Sequence, residues 1–429
     1  MNPSQTKDNF RWIVSQEGSR QTYAVPLSFH RLGALRLMYT DIWCRWGHSL
    51  LKRGPAGARA LATRYSPEIP PDRVVAFTPH AALWRAREHL RRIPSRRKLS
   101  EEYCTFGRWL ATRVRQHLQK IGLDPRTDGF FGFNANCLET FELLKENNVF
   151  TVLDQVDPGL VEENIVLEEA ERWPGWEGIP GRMSQDYWDR IKAEWAAANL
   201  VLVNSEWSRT ALVQQGVPFE KIIVVPLAID LAKDHALEPV NPQGTLKVLW
   251  LGSVILRKGI QYLVEAARKL ERHGVKFLLA GPLGISAEII RSFPRNIQVL
   301  GRVTRDQLGD YYRQAHLFVL PTLSDGFAIT QLEAMAHGLP VITTANCGDV
   351  VTHAMDGLII PARDSQALAD AISHLDADRP LLRAMSANTL LTATKYCLPS
   401  NARLIQKLVA ERRALAANPP FSPVRSNAA

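Results

Sequence analysis

The chain has 429 residues, 46% hydrophobic and 22% charged, with a formal net charge of +9. That length exceeds one ordinary core, so two domains, or three, are expected. No apolar run reaches the roughly 18 residues of a spanning helix, and the start, MNPSQTKDNFRWIVSQEGSR, lacks the pattern of a secretory signal. Five scattered cysteines (Cys44, Cys104, Cys137, Cys347, Cys397) have no paired spacing, which argues against a disulfide frame or a zinc site and for a reducing, cytoplasmic setting.

The first half reads as strands alternating with helices. FRWIVS (10–15) is expected as a strand, QEGSRQ as a turn, TYAVPLSFHRLG as a helix and ALRLMYT as a strand. DRVVAFT (72–78) is a further strand, followed by basic helices to about Gly122. DGFFGFNA (128–135) and NVFTVLDQ (148–155) are strands flanking the helix CLETFELLKEN. Residues 157–180 are acidic and contain Trp173, Trp176 and three prolines, so a long loop or lid is expected. DYWDRIKAEWAAA and EWSRTALVQQG are helices, LVLVNS and KIIVVPLAI strands. The span 230–245 has mixed charge, two prolines and no periodicity, and is read as an interdomain linker.

The second half is more regular. LKVLWLGSV (246–254), VKFLLAGP, IQVLGR, HLFVLPT, LPVITT and DGLIIPA are apolar strands, separated mostly by helical stretches. Such alternation predicts a parallel, doubly wound α/β sheet with its ligand crevice at the carboxyl ends of the strands.

The stretch LSDGFAITQLEAMAHGLP (323–340) carries chemistry. Asp325 is expected in a strand-to-helix loop at the ligand edge, where Gly326 allows a sharp turn or a close approach. Glu333, eight positions on among Ala334, Met335 and Ala336, needs hydrogen-bond donors to be stable there. Two carboxylates near free helix-start amides suit a polyhydroxylated ligand with an anionic middle; an Asp cap with a surface Glu is the plainer reading. In GSVILRKG (252–259), Arg257 and Lys258 stand at a helix start, where positive charge is unfavourable unless an anion is bound. Two solvated charges on a loop are the alternative.

LGSVILRKG, LLAGP, VLGRVT, HLFVLPTLSDGFAITQLEAMAHGLPVI and DGLIIPA, in this order and spacing, resemble the donor-binding half of glycosyltransferase family 4. The likeness is specific over about 246–376 and weaker before it. It implies a GT-B fold of two facing Rossmann-like domains, divided as 1–229 (acceptor-binding), linker 230–245, 246–394 (nucleotide-sugar-binding), a helix 395–416 packing back on the N-terminal domain, and a disordered tail 417–429. The family's two-glutamate motif appears as Asp325 and Glu333. By resemblance Asp325, with Gly326, Phe327 and Ala328, holds the transferred sugar. Glu333 holds the ribose, Arg257 and Lys258 take the diphosphate, the backbone near Arg302 and Val303 meets the base, and Gly252 is a further donor-binding residue. Asp325, Arg257 and Lys258 are the expected catalytic residues.

The chain departs from the family in four places. Asp replaces the first Glu, Ala328 stands where Gly is usual, Val350 and Val351 lie near a missing acid, and Asp154 and Gln155 occupy the place of a His. Among N-terminal candidates, QEGSRQT resembles the family's Gly-rich first loop, which faces the diphosphate and acceptor across the cleft and makes Gly18 a donor-binding residue; an ordinary turn is the alternative, and Arg20 adds charge beside it. Ser205 is cleft-facing or a helix N-cap. His80 is cleft-facing or structural, and Asp154 is a further cleft candidate.

The resemblance implies a retaining hexosyltransferase that needs no metal or cofactor, with a nucleotide-diphosphate sugar as donor and a carbohydrate or lipid-linked acceptor. A nucleotide-sugar epimerase and a binding protein without transferase activity are alternatives. Basic charge in RWGHSLLKRGPAGARALATR and WRAREHLRRIPSRRK suits any polyanion. No nucleic-acid motif accompanies it, so nucleic acid is not an expected partner. A helix over 84–99 resting on an anionic membrane through Arg91, Arg92, Arg96 and Arg97 is one reading; an exposed basic helix is the other.

Overall fold

The structure is a computed structural model that describes residues 11–51, 53–90, 95–178, 181–231 and 238–417. Two parallel sheets organise it. The N-terminal sheet has β1 (Arg11–Gln16), β2 (Leu35–Thr40), β3 (Val74–Ala76), β4 (Asp128–Phe133), β5 (Phe150–Asp154), β6 (Leu200–Val203) and β7 (Ile222–Val224), in spatial order β3-β2-β1-β4-β5-β6-β7. The C-terminal sheet has β8 (Lys247–Leu251), β9 (Lys276–Ala280), β10 (Ile297–Gly301), β11 (Leu317–Leu320), β12 (Val341–Thr344) and β13 (Gly357–Ile360), in order β10-β9-β8-β11-β12-β13.

Helices on both faces explain why the central strands are apolar throughout. β4 is buried over its whole length, and so is β11. In each sheet the strand order reverses once, between β1 and β4 and between β8 and β11. The loops leaving those strands open into a crevice there. The expected fold, two Rossmann-like domains, is the one observed.

The chain crosses between the domains twice. Residues 238–244 run along helix Arg379–Thr394 of the C-terminal domain: Val240 N–H donates to Ser386 Oγ (2.9 Å) and Arg379 donates to the carbonyls of Pro242 and Gly244. The return passes Tyr396, whose carbonyl accepts from Ile229 N–H at 2.9 Å. The terminal helix Leu398–Ala417 then buries Leu398, Ala402, Ile405 and Val409 in the same core as Trp12 and Phe29 of the N-terminal domain. Part of the span read as a linker and nearly all of the tail read as disordered lie outside the described residues, as do Arg91 and Arg92.

One expectation is corrected. Residues 157–180 are not a long loop: Leu160–Arg172 is a helix. Its first turn carries Glu162 and Glu163, which complement the positive helix end. Leu160 N–H is satisfied by Gln215 Oε1 at 2.8 Å. The proline-rich segment after it is held by its tryptophans. Trp176 is buried in the core of the C-terminal domain, and Trp173 packs edge-to-face on Tyr262.

Candidate functional site

The site is built on the switch point of the C-terminal sheet. β8 ends at Leu251, and the loop from Gly252 closes in a single tight turn, Leu256–Lys258. Gly259 follows with φ of 74°, and a Cβ there would lie 1.8 Å from the carbonyl oxygen of Pro321. Only glycine lets helix Ile260–Lys269 start this close to the end of β11. Two further bonds fasten the loops together. The Arg257 carbonyl accepts from Leu323 N–H (2.9 Å) and Thr322 Oγ1 (3.2 Å). Arg257, Lys258 and Asp325 therefore meet. Gly252 lies on the same edge, its carbonyl packed against Gly281.

Lys258 Nζ donates to Asp325 Oδ2, and Arg257 Nη1 lies 3.9 Å from Asp325 Oδ1. Burial pushes the Asp325 carboxyl up, but the Lys258 and Arg257 charges outweigh it and hold it below the usual carboxylate range. The Phe327 amide helps. The Phe327 ring lies over Gly348, and Ala328 precedes helix Ile329–Ala336 without a side-chain cap, which leaves amides at the helix start.

Glu333, half-buried in that helix, accepts from the Tyr312 hydroxyl at 3.1 Å. Tyr312 in turn stacks on His337 at 4.6 Å. Arg302 is exposed and Val303 half-buried, on the loop leaving β10, two strands from the switch point.

From the N-terminal domain, Gly18 N–H donates to Asp41 Oδ1 at 2.8 Å, beside the Arg64–Asp41 ion pair. Beyond it Gln21, Thr22 and Tyr23 are all left-handed (φ 47°, 56° and 65°), a run of strained residues at the carboxyl end of β1. Arg20 lies over the Phe133 ring at 5.1 Å. Asp154, at the end of β5, is buried, and burial pushes its carboxyl up to about 7 against the opposing charge of Arg20. Among the described residues its Oδ1 has no partner. Ser205 does both things considered for it: Oγ accepts from Ser208 N–H (3.1 Å) as an N-cap and donates to the Gly326 carbonyl (2.7 Å) across the cleft. His80 is exposed on helix Thr78–Leu90, which follows the edge strand β3, away from the switch point.

Residues not singled out from sequence complete the cluster. Glu162, on the acidic helix, accepts from Arg257 Nη1 (3.2 Å) and Ser324 Oγ (2.9 Å). Burial, opposed by Arg257 and aided by Asp157 and Asp325, pushes its carboxyl up to about 7. Trp207 Nε1 donates to Ser324 Oγ at 3.2 Å, and the Arg257 guanidinium also donates to the Ser324 carbonyl at 2.8 Å. The acidity of 157–172 was visible in sequence, but not which carboxylate faces the cleft.

Residues 245–378 match the family model Glycosyl transferases group 1. Fold and matched segment give the class: the fold is GT-B, and the segment that carries the site is similar to the group 1 glycosyl transferases. The chain is 26% identical over 262 residues to the amylovoran biosynthesis glycosyltransferase AmsK of Erwinia amylovora, covering 58% of this chain and 59% of that protein. It is 43% identical over 101 residues to the lipopolysaccharide core biosynthesis mannosyltransferase LpsB of Rhizobium meliloti, covering 22% and 29%. Across four such curated relatives the matches span 29% to 59% of the relative's length. In fold it is similar to the sucrose-phosphate synthase of Thermosynechococcus elongatus (TM-score 0.64, 19% identity, 95% of this chain and all of that one). The Anabaena protein HepE, solved in complex with UDP and glucose, has a TM-score of 0.58 at 15% identity, covering 94% of this chain and all of that one.

Proposed function

We propose that this protein is a retaining glycosyltransferase of family 4 type. It moves a hexose from a nucleotide-diphosphate sugar to an acceptor hydroxyl, in polysaccharide or glycolipid biosynthesis, with neither metal nor cofactor. The observation that carries the reading is the convergence of Arg257, Lys258 and Asp325 at the β8/β11 switch point of a matched group 1 domain.

The costly event in such a transfer is departure of the nucleotide diphosphate as charge builds on it. Arg257, Lys258 and the amides at the start of helix Ile329–Ala336 stabilise that charge, and do so without reorganising at the moment of reaction. Asp325 turns from Lys258 to the sugar hydroxyls. Glu333, steadied by Tyr312, takes the ribose hydroxyls. The loop leaving β10 meets the base. The acceptor enters over the carboxyl edge of the N-terminal sheet, near Arg20 and Asp154. Ser205 and Gly326 hold the domains closed, which keeps water from the donor.

Thermal stabilisation against a panel of nucleotide sugars, on wild type and Glu333→Ala, tests the reading. The expected result is a shift with one nucleotide family, lost in the variant. Stabilisation without transfer to any acceptor would favour a donor-binding protein instead. Asp325, one methylene shorter than Glu and paired with Lys258, is the feature that would then explain it.

We also propose peripheral contact with an anionic membrane. No described helix is long and apolar enough to cross one. Support comes from upstream of 84–99: residues 42–66 contain no acid, and Trp46 and Leu50 are 86% and 80% exposed beside exposed Arg45 and Arg53. Trp46→Ser with Leu50→Ser should abolish flotation with phosphatidylserine vesicles; unchanged flotation would count against this surface.

A further inference from the structure

The two cations assigned to the donor are already engaged by carboxylates, and one of these comes from the opposite domain. Arg257 donates to Glu162 at 3.2 Å, and Ser324 Oγ donates to the same oxygen at 2.9 Å. A guanidinium and a hydroxyl converging on one anionic oxygen is the arrangement a phosphate oxygen takes. Glu162 sits in the first turn of helix Leu160–Arg172, where the helix dipole also favours an anion.

The helix is held in place independently of that contact. Arg363 donates to Glu169 (2.6 Å) and to Glu168 (2.7 Å). Gln261 and Tyr262 donate to the other oxygen of Glu169, at 2.9 and 3.1 Å. The Trp176 carbonyl accepts from Ser286 N–H at 2.7 Å. All four donors belong to the C-terminal domain, so the helix presents Glu162 to Arg257 from a fixed base.

We infer that Glu162 is a positioning residue whose carboxylate stands in for a donor phosphate: it holds Arg257 ready in the closed cleft, and the incoming diphosphate must displace it. The inference rests on the donor-site reading above. It follows that donor affinity is set by a competition between two anions for one guanidinium. An ionised Glu162 also faces Asp157 and Asp325, with Arg257 and Lys258 the opposing cations. A diphosphate brought into this group adds repulsion unless Glu162 withdraws or takes up a proton. Its carboxyl already sits at about 7, so the proton is available near neutrality. The sign is then determined. Below that value Glu162 is neutral and does not compete; as pH rises through it, donor binding weakens. Nucleotide sugars serve as probes because their two phosphates, each with one ester and one anhydride bond, keep only strongly acidic groups and do not titrate in this range.

Calorimetric binding of UDP-glucose and GDP-mannose to wild type, Glu162→Gln and Arg257→Ala, between about pH 6 and pH 8, tests this. Glu162→Gln keeps the side chain's shape and an acceptor for Ser324. It should bind about tenfold tighter than wild type at the upper pH, with the pH slope gone. In turnover the gain should appear in KM, with kcat little changed. Wild-type binding that is lost in Arg257→Ala but unaltered in Glu162→Gln would overturn the inference and leave the donor site standing. If neither sugar binds wild type or Glu162→Gln, the donor reading fails, and the inference with it.

Discussion

Ser205 of the N-terminal domain donates its hydroxyl to the carbonyl of Gly326, at 2.7 Å, while capping its own helix through Ser208 N–H. One side chain thus starts a helix and ties the domains together across the cleft. Ser205→Ala removes both bonds and leaves the Gly326 carbonyl to Ser208 at 3.5 Å. The expected loss is about 1–2 kcal/mol, the usual range for an N-cap, seen as a lower urea midpoint.

Gly326 admits no side chain. A Cβ would lie 2.0 Å from the Val156 carbonyl oxygen, which is backbone and cannot turn aside. Gly326→Ala should therefore push the domains apart while each keeps its sheet. The overpacking should cost about 1–3 kcal/mol. Small-angle scattering should show a larger radius of gyration, and transfer activity should fall at least about tenfold. An unchanged radius would mean that the interface yields elsewhere.

Asp154 links stability to pH. Burial raises its carboxyl to about 7, above the ordinary range it regains on unfolding. The folded state therefore holds the proton more tightly, and the contribution of Asp154 to stability declines as pH rises from about 4 to about 7. Asp154→Asn carries no such charge. Relative to wild type it should gain stability between about pH 5 and pH 8, by at most about 4 kcal/mol in denaturant titrations. A constant difference across that range would show that the carboxylate is solvated.

Arg363 anchors the acidic helix. Its removal leaves Glu169, fully buried, with Gln261 and Tyr262 as its side-chain donors among the described residues. Losing one partner of a buried ion pair costs about 3–5 kcal/mol, and the two remaining donors reduce that to about 2–3. Arg363→Ala should lower the unfolding midpoint and speed proteolysis within 157–178. Arg363→Lys should restore one contact, not both.

Much of the architecture was legible because its signals are local. Apolar runs such as LFVL and the helical spacing of IQYLVEAARK place strands and helices without reference to the rest of the chain. Arg257, Lys258, Asp325 and Glu333 stood out for the same reason: charge at a helix start or inside an apolar helix conflicts with local preference. The acidic segment reads as a loop in sequence because three prolines and two tryptophans mask the helical spacing of LVEENIVLEEAER. Tyr312 gave no signal, since one tyrosine in a polar helix resembles any other.

The chain's pattern of periods and breaks therefore sets two parallel sheets and puts Asp325 and Arg257 on loops at the ligand edge of one of them. Tertiary structure alone decides what faces these residues. Glu162 lies 95 positions before Arg257, and Ser205 lies 121 before Gly326. Such pairs arise from packing one domain on another, where burial, not sequence spacing, selects which carboxylate meets which cation. The same burial raises Glu162 and Asp154 toward neutrality, a property that no local composition carries.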